Sequence, residues 1–485
     1  MRALARGATL VVLAACAVGP GRVEPPVPTV AARADAATPS AMRRVLDSLA
    51  RARAADAPAG ADTTPVRVTP ATAPPAWLDV LHDPALVRLV RDALAGNRDV
   101  RVAEARVREF RAQRGVARAA LFPQLSANAA TSTNQAAFGP AVVPYNAVRA
   151  TADVQWELDF WGRRRRGVQA AGFDLLGSEE GARATALTLV SDVAATYLAL
   201  RAADAGLAIA EQTLESRRNT LALARRRFEQ GVISELDVRQ FEAGVAAPAV
   251  RVADFARQRA EAEHQLSALL GRAPGPIERG CELDEIVRAA AVPDSIPGAL
   301  IARRPDVLRA QRDVQAAAAR AGAAAASRLP NVVIGGQYGT QRPSLAGVFG
   351  PKGEVYGLSL GLSVPLLDAG RAANVTNAAR AEAEAAQRSY EQTVLVALRE
   401  ASDAVAGLRL LHDQLVAQQT QAQALRAALA IAQRRYASGI SSYLEVLDAQ
   451  RGLFDAQLGL LQVQRDYLTA TVTLYRALGG SWSAE

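Results

Sequence analysis

Apolar and polar residues alternate in two short stretches of the chain. Residues 151–160 place Ala, Val, Trp, Leu and Phe between Thr, Asp, Gln and Glu, and residues 355–364 place large apolar residues between Gly and Ser. A period of two with one apolar face is typical of a half-buried strand. Weaker partners at about 125–133 and 332–340 bring the predicted strands to four. Taken alone, this pattern favours an ordinary soluble hairpin.

The remaining pattern has a helical period and predicts long helices around each strand pair. Residues 163–230 and 371–438 predict helices of 68 residues, each about 100 Å long at about 1.5 Å per residue. Residues 97–120 and 234–270 predict two shorter helices whose summed length is close to that of one long helix. The order helix, strand, strand, very long helix, tight turn, long helix occurs twice.

The two halves of the chain are copies of one unit. Three landmarks recur at an offset of 207 or 208 residues, which is the sequence signature of a duplicated structure. They are 98–100 with 304–307, 227–238 with 435–446, and 270–271 with 478–479. This offset predicts a first repeat at 77–271, a linker at 272–303, a second repeat at 304–480 and a tail at 481–485.

Each copy contains a tight turn between its two longest helices. A Gly that suits a helix C-cap is followed three residues later by Ser-x-x-acid, the sequence of a capping box. The residues are Gly231, Ser234 and Asp237 in the first copy, and Gly439, Ser442 and Glu445 in the second. The first returning helix also contains Pro248, which crowds the carbonyl of Gly244, so we expect a kink there.

The N-terminus predicts a lipoprotein signal. Two arginines precede an apolar stretch at 8–18, which is too short for a membrane span of about 20 residues but suits a signal peptide. Leu13-Ala14-Ala15-Cys16 resembles the bacterial lipobox, so we predict a signal peptide at 1–15 and lipidation of Cys16. An ordinary secretory signal with a chance Cys is the alternative. Ala17 stands where an Asp commonly marks inner-membrane retention, which points to the outer membrane.

The predicted strands fit a membrane better than water once the signal is considered. Residues 16–76 predict an extended tether rich in Pro and Ala, and no later run reaches 18 uninterrupted apolar residues. A membrane crossing would therefore have to use strands, and strands of about ten residues suit a tilted barrel. Four strands cannot close a barrel, and open edges are not tolerated in lipid, so several chains must pool their strands. A trimer would supply about twelve.

We therefore predict a mainly α-helical fold class with a transmembrane β-barrel contribution. It consists of two tandem repeats, a long α-helical tunnel, four strands per chain and a trimer that closes a twelve-stranded barrel. Only 5% of the residues are aromatic while 50% are hydrophobic, which favours helices packed through small side chains.

Composition also limits the chemistry. The net charge of +8 comes almost entirely from Arg without a dense basic run, so no nucleic acid partner is predicted. The three His and two Cys have no ligand spacing, and neither a Gly-rich phosphate loop nor a nucleophile elbow is present. We predict no enzyme activity, no catalytic residue, no cofactor and no metal site.

Three stretches resemble the TolC-like outer membrane factors, specifically the NodT-type lipoprotein subunits of tripartite efflux pumps. They are Trp77 with Asp83-Pro84-Ala85-Leu86, then Arg303-Arg304-Pro305-Asp306-Val307, and Arg434-Arg435-Tyr436 with Gly439 running into Tyr443-Leu444-Glu445-Val446-Leu447-Asp448. The resemblance covers about 77–480 together with the lipobox, and the long tether departs from it. It implies a homotrimer, lipid-anchored in the outer membrane and projecting into the periplasm, through which drugs or small molecules leave passively.

The resemblance also implies partners. They are outer membrane lipid, a periplasmic adaptor (a membrane fusion protein) and an inner-membrane transporter of the proton-driven RND type. The duct of a type I protein secretion system is the alternative, and the lipobox favours efflux. Metal-ion efflux has little support, because two Met provide no thioether relay. A structural periplasmic coiled coil would have no use for four strands.

Two groups of site residues follow from the resemblance. It implies a periplasmic gate at Tyr436, Leu444, Glu445 and Asp448, and in a trimer the acids would form rings that favour cations. Glu445 has the alternative role of completing its capping box. In this family an Arg helps to latch the gate, and Ser441 stands in its place. The turns implied to contact the adaptor are Gly231, Val232, Ile233, Ser234, Gly439, Ile440, Ser441 and Ser442.

Overall fold

The computed structural model describes residues 75–138, 141–289, 298–345 and 353–480. The predicted signal peptide at 1–15, Cys16, the tether up to residue 74 and the tail at 481–485 lie outside the described residues. Short 3-10 helices occupy Ala76–Leu81 and Gly298–Arg303. The α-helices of the described part are α1 (Pro84–Gly96), α2 (Arg98–Ala119), α3 (Arg163–Glu229), α4 (Glu235–Leu269), α5 (Leu283–Ala289), α6 (Pro305–Ala326), α7 (Arg371–Ala437) and α8 (Tyr443–Ala477).

The strands of the described part form one antiparallel sheet in the order β1-β2-β3-β4. They are β1 (Gln124–Phe138), β2 (Ala141–Leu158), β3 (Asn331–Arg342) and β4 (Glu354–Ser363). The order helix, strand, strand, long helix, shorter helix occurs in both repeats. The corresponding helices also have equal lengths, 67 residues for α3 and α7 and 35 residues for α4 and α8.

The first strand pair is longer than the alternation predicts. Predicted limits of 125–133 and 151–160 become Phe138 at the end of β1 and Ala141 at the start of β2. Residues 134–138 pair with 141–145 and residues 146–150 continue the ladder, but these residues carry mostly small or polar side chains, so no strong alternation marks them in the sequence. β2 also ends two residues early, because the Asp159 carboxylate caps α3 by accepting bonds of 3.0 and 2.8 Å from two backbone N–H groups.

Contacts divide the chain into two compact units. The first contains Ala105–Glu179 and Arg309–Glu391, and therefore the whole sheet. In this unit α6 packs against α3 through small side chains, since Gly177 lies beside Asp313 and Gly322 lies beside Arg166. Ala316, Ala317 and Ala321 of α6 are buried. This packing is what the alanine-rich composition predicts.

The second unit has a larger core that joins the 3-10 helix at Ala76–Leu81, α1 and α5 to the long helices. Trp77 stacks on Tyr475 with ring centroids 5.0 Å apart and an angle of 9° between the planes. The buried Asp83 accepts bonds from two N–H groups of α1, at 2.8 and 3.2 Å. Its other oxygen accepts from the Tyr197 hydroxyl (2.7 Å) and the Cys281 backbone N–H (3.1 Å). Burial, followed by the bond to Asp83, raises the pKa of Tyr197.

Equivalent positions of the two repeats bind the ends of the returning helices. Asn97 caps α2 and its amide donates to the Leu269 carbonyl at 2.9 Å. Arg304 donates to the Ala477 carbonyl at 3.0 Å and also pairs with Glu400 at 2.7 Å. In both repeats the acceptor is the backbone carbonyl at the end of the returning helix. The donor is the neutral amide of Asn97 in the first repeat and the charged Arg304, which also pairs with Glu400, in the second.

One stretch of α3 is apolar and long enough to cross a membrane by composition alone, and 56% of it is buried inside the protein. The part of α3 in the second unit packs into the core there, where Val193, Tyr197 and Leu200 are fully covered.

Candidate functional site

The sheet of the first unit presents an apolar face. Residues directly opposite in neighbouring strands point to the same face, and the register aligns Trp156 with Ile334 and Ile334 with Leu360. Leu358, Leu360 and Leu362 of β4 are 85%, 73% and 71% exposed. An exposed apolar surface of this extent marks an interaction site, because water is a poor solvent for it.

The opposite face of the same sheet is polar. Asp153 accepts bonds from the amide of Asn128 (2.7 Å) and the hydroxyl of Thr151 (3.0 Å). Arg149 donates to the side chain of Gln337 on the next strand. Within the described residues, β1 and β4 each leave one edge unpaired. The sheet therefore separates an apolar surface from a polar one and has two edges that can accept further strands.

The two helix turns of the second unit have the backbone that the sequence predicts. Gly231 and Gly439 have φ angles of 74° and 72°. The N–H of Val232 donates to the Arg227 carbonyl at 2.9 Å, and the N–H of Ile440 donates to the Arg435 carbonyl, also at 2.9 Å. These bonds define Schellman motifs, which need a residue with positive φ, and Gly adopts it without steric cost.

The caps that follow the two turns differ. Ser234 forms the predicted box, since its hydroxyl accepts from the Asp237 N–H (3.2 Å) and its own N–H donates to the Asp237 carboxylate (2.9 Å). The bonds from Ser234 lower the pKa of Asp237. The second predicted box is wrong, because Ser442 makes no side-chain cap bond. The Glu445 carboxylate instead lies 3.6 Å from Arg435, which attracts it away from the cap.

The predicted gate residues fall into two groups. Tyr436 is half-buried against Arg227, whose guanidinium donates to the Tyr436 hydroxyl and lies 5.5 Å from the centre of its ring. Leu444, Glu445 and Asp448 are exposed on the first two turns of α8. Glu445 and Asp448 share a helix face because they are three residues apart, and Asp448 has no ion-pair partner among the described residues.

The sequence alone did not assign Arg227, Tyr443 or Phe241 to the surroundings of Tyr436. Arg227 stands one position before the residue of the first repeat that corresponds to Tyr436, and the rings of Tyr443 and Phe241 complete the cluster. The Tyr443 ring lies 5.0 Å from the Tyr436 ring and 4.4 Å from the Phe241 ring. Burial raises the pKa of Tyr443. The recurring Arg-aromatic pairs at 227–228 and 435–436 were the available signal.

A pocket of about 210 Å³ lies between the two hairpins beside these rings. Leu444 and Ser442 line it together with Tyr436 and Tyr443, so the second predicted turn and the predicted gate share one surface. Among the residues that the structure describes, no three His, Cys, Asp or Glu side chains are grouped to hold a metal ion. The rings and the Arg227–Tyr436 contact hold the two hairpins together.

The chain belongs to the family of outer membrane efflux proteins, whose model matches residues 89–272 and 296–480. TtgC, a probable efflux pump outer membrane protein of Pseudomonas putida, is 33% identical over 418 residues, which cover 85% of this chain and 86% of TtgC. SilC, a probable outer membrane lipoprotein of Salmonella typhimurium, is 31% identical over 84% of this chain and 88% of its own length. The solved outer-membrane channel OprN has a TM-score of 0.79 and 28% identity, over 96% of this chain and 99% of OprN.

These similarities confirm the predicted family and the predicted function as an outer membrane efflux channel. They also confirm the fold class of tandem repeats with long helices and a small four-stranded sheet.

Proposed function

We propose that the chain assembles as a homotrimer whose twelve strands close one barrel in the outer membrane. The observation that supports it best is the sheet, with one apolar face, one polar face and an open edge at each side. Pairing β4 of one copy with β1 of the next removes both edges by simple rotation. The apolar rows then contact lipid and the polar rows line the passage.

The duct is the passive exit of a tripartite pump that exports drugs and other small molecules. An inner-membrane transporter of the proton-driven RND type supplies the energy, and a periplasmic adaptor connects it to the duct at the two helix turns. Val232 and Ile440 support this contact, because these apolar side chains are 65% and 70% exposed at the tips of the turns.

The gate consists of Tyr436, Leu444, Glu445 and Asp448, with Arg227 as the partner of Tyr436. The closed arrangement is the one in which Arg227 donates to Tyr436, since this bond joins the second hairpin to the first. Three exposed Asp448 carboxylates around one axis would attract cations. Glu445 shares the helix face of Asp448, but Arg435 lies 3.6 Å from its carboxylate and offsets its charge.

Lipidation of Cys16 anchors the N-terminus in the outer membrane, and the tether at 16–76 leads from it to the first repeat. SilC is named a lipoprotein, which is consistent with this anchor. The repeats extend over 77–271 and 304–480, with the linker at 272–303 between them.

Efflux is tested by deleting the gene in a strain without redundant ducts and measuring intracellular ethidium. Accumulation should rise in the deletion strain and return to normal with the wild-type gene. The double variant Val232→Asp, Ile440→Asp should form trimers yet fail to restore efflux, because charged tips would not dock with an apolar adaptor surface. Unchanged ethidium in the deletion strain would contradict efflux, and full rescue by the double variant would exclude adaptor contact at these tips.

A further inference from the structure

Pro248 leaves a backbone acceptor free within a continuous helix. It is buried inside α4, which runs through it from Glu235 to Leu269. A proline has no N–H, so the carbonyl four residues earlier, that of Gly244, loses its helical hydrogen bond. The Gly244 carbonyl is partly buried, and a carbonyl shielded from water without a partner is unfavourable. In this protein another helix provides the donor, because Arg217 Nη1 of α3 lies 2.7 Å from the Gly244 oxygen.

Arg217 also contacts the second hairpin. Its guanidinium carbon lies 5.7 Å from the centre of the Phe454 ring on α8, and Arg217 and Phe454 are 7% and 6% exposed. A cation over an aromatic face is attracted by the ring electrons. Arg217 therefore belongs to α3 and connects it to two other helices, to α4 through the Gly244 carbonyl and to α8 through Phe454.

The cost of this arrangement indicates a role beyond packing. Burial lowers the pKa of Arg217, and the nearby Arg451 adds to the effect. The Nε atom of Arg217 is buried without a hydrogen-bond partner in the described part of the chain. Apolar residues of similar size often replace a buried charge without loss of stability. A cation held here by one carbonyl and one ring orients the helices more than it stabilises them.

The position of Arg217 relates it to the gate. It stands ten residues before Arg227 on α3, about 15 Å along the helix. The pocket beside Tyr436 includes Thr220 and Leu223 of the intervening turns. The second hairpin is thus attached to the first at two levels, by Arg227 next to the turn and by Arg217 about three helical turns deeper.

We propose that Arg217 is a positioning residue of the gate, which holds α8 in its closed place through Phe454 while the carbonyl freed by Pro248 fixes the guanidinium. The inference rests on the gate proposed above. Pro248 then has a function, since it supplies the acceptor that a regular helix would have used for itself.

The test compares variants of the full-length trimer in planar bilayers. Arg217→Met should raise the conducting fraction of single channels several-fold while the melting temperature of the trimer stays within a few degrees. Gly244→Ala is the matched control, because it keeps the carbonyl and an added Cβ meets its nearest atoms only at 3.9 Å. It should behave as the wild type. If Arg217→Met does not assemble, Phe454→Leu removes only the ring and should also raise the conducting fraction.

The double variant Arg217→Met, Pro248→Ala and the gate variant Tyr436→Phe separate positioning from simple structural support. Pro248→Ala returns an N–H to the Gly244 carbonyl, so in the Arg217→Met background it satisfies that acceptor but cannot restore the contact with Phe454. The conducting fraction should therefore remain high, and its return to the wild-type value would overturn the proposal. The proposal would also be overturned if Arg217→Met or Phe454→Leu kept the wild-type conducting fraction while Tyr436→Phe raised it. If all these variants kept the wild-type conducting fraction, the gate itself would be contradicted.

Discussion

Arg227 and Tyr436 occupy neighbouring positions of the two repeats but make different contributions to one contact. Arg227 corresponds to Arg435, and Tyr436 follows it directly in the second copy. The positive φ at Gly231 and Gly439 could be predicted from sequence because a helix turn is a local structure. The Arg227–Tyr436 contact could not, because it depends on how two helices from different repeats pack in space.

Tyr436→Phe tests this contact at the smallest scale. It removes the hydroxyl that accepts from Arg227 but retains the ring, so the closed arrangement loses about 1 kcal/mol of hydrogen bonding. We expect the conducting fraction of single channels in bilayers to rise about fivefold. Tyr467→Phe, the same change elsewhere on α8, should leave it unchanged. An equal rise in both variants would mean that the effect does not belong to the gate.

Asp448→Asn tests the acidic ring. The substitution removes up to three negative charges from the proposed trimer without changing side-chain size, so the preference for cations should fall. The reversal potential in a potassium chloride gradient measures this preference and should move towards zero. Asp466→Asn serves as control, because Asp466 is already paired with Arg465 at 2.9 Å. A reversal potential that does not move would exclude Asp448 from the ion pathway.

At the scale of elements, the two hairpins show how a repeated sequence reaches different ends. Both turns contain Ser-x-x-acid, and both have the same Schellman backbone. Only the first forms a capping box, because Arg435 lies within reach of Glu445 and competes for its carboxylate. The sequence contains both options, and the geometry of the turn decides between them.

Ser234→Ala and Ser442→Ala form a matched pair for this difference. Loss of the Ser234 cap should cost about 1 kcal/mol, so backbone hydrogen exchange at the start of α4 should accelerate about fivefold. The same change at Ser442 should not alter exchange at the start of α8. Because the Ser234 bonds lower the pKa of Asp237, the contrast should persist at every pH above the ordinary Asp value of about 3.9. Equal acceleration in both variants would contradict the assigned caps.

Leu360 and Ser359 provide a second matched pair, on opposite faces of β4. Leu360→Arg places a charge on the apolar face, where lipid contact would cost about 2–4 kcal/mol. Ser359→Arg places the same charge on the polar face. The yield of trimer in the outer membrane, measured on gels without heating, should fall for the first and not for the second. Reduced yield for Ser359→Arg alone would reverse the proposed faces.

At the scale of the molecule, the repeat made most of the fold predictable. One offset fixes the element order of both halves, and the alternation places four strands. The lengths of β1 and β2 were underestimated, because small and polar side chains continue the ladder without a visible period. The contacts of Asp83 with Tyr197 and Cys281 were also beyond prediction, since their partners are brought together only by the folded core.

Cys16→Ser tests the anchor of the whole assembly. Without the thiol no acyl chain can be attached, so incorporation of labelled palmitate should disappear. Trimers should still be recovered from the outer membrane fraction, because the proposed barrel inserts through its own apolar face. Persistent labelling would exclude Cys16 as the lipidation site, and the loss of trimers would show that insertion depends on the lipid.

The stack of Trp77 on Tyr475 also bears on biogenesis, because it joins an early part of the polypeptide to a very late one. A chain threaded through the inner membrane from its N-terminus delivers the indole long before its phenol partner. Contacts between residues so distant in sequence form slowly, after the local contacts have formed. Completion of this core therefore requires residues from both ends of the polypeptide, so a product that ends before Tyr475 would lack the stack.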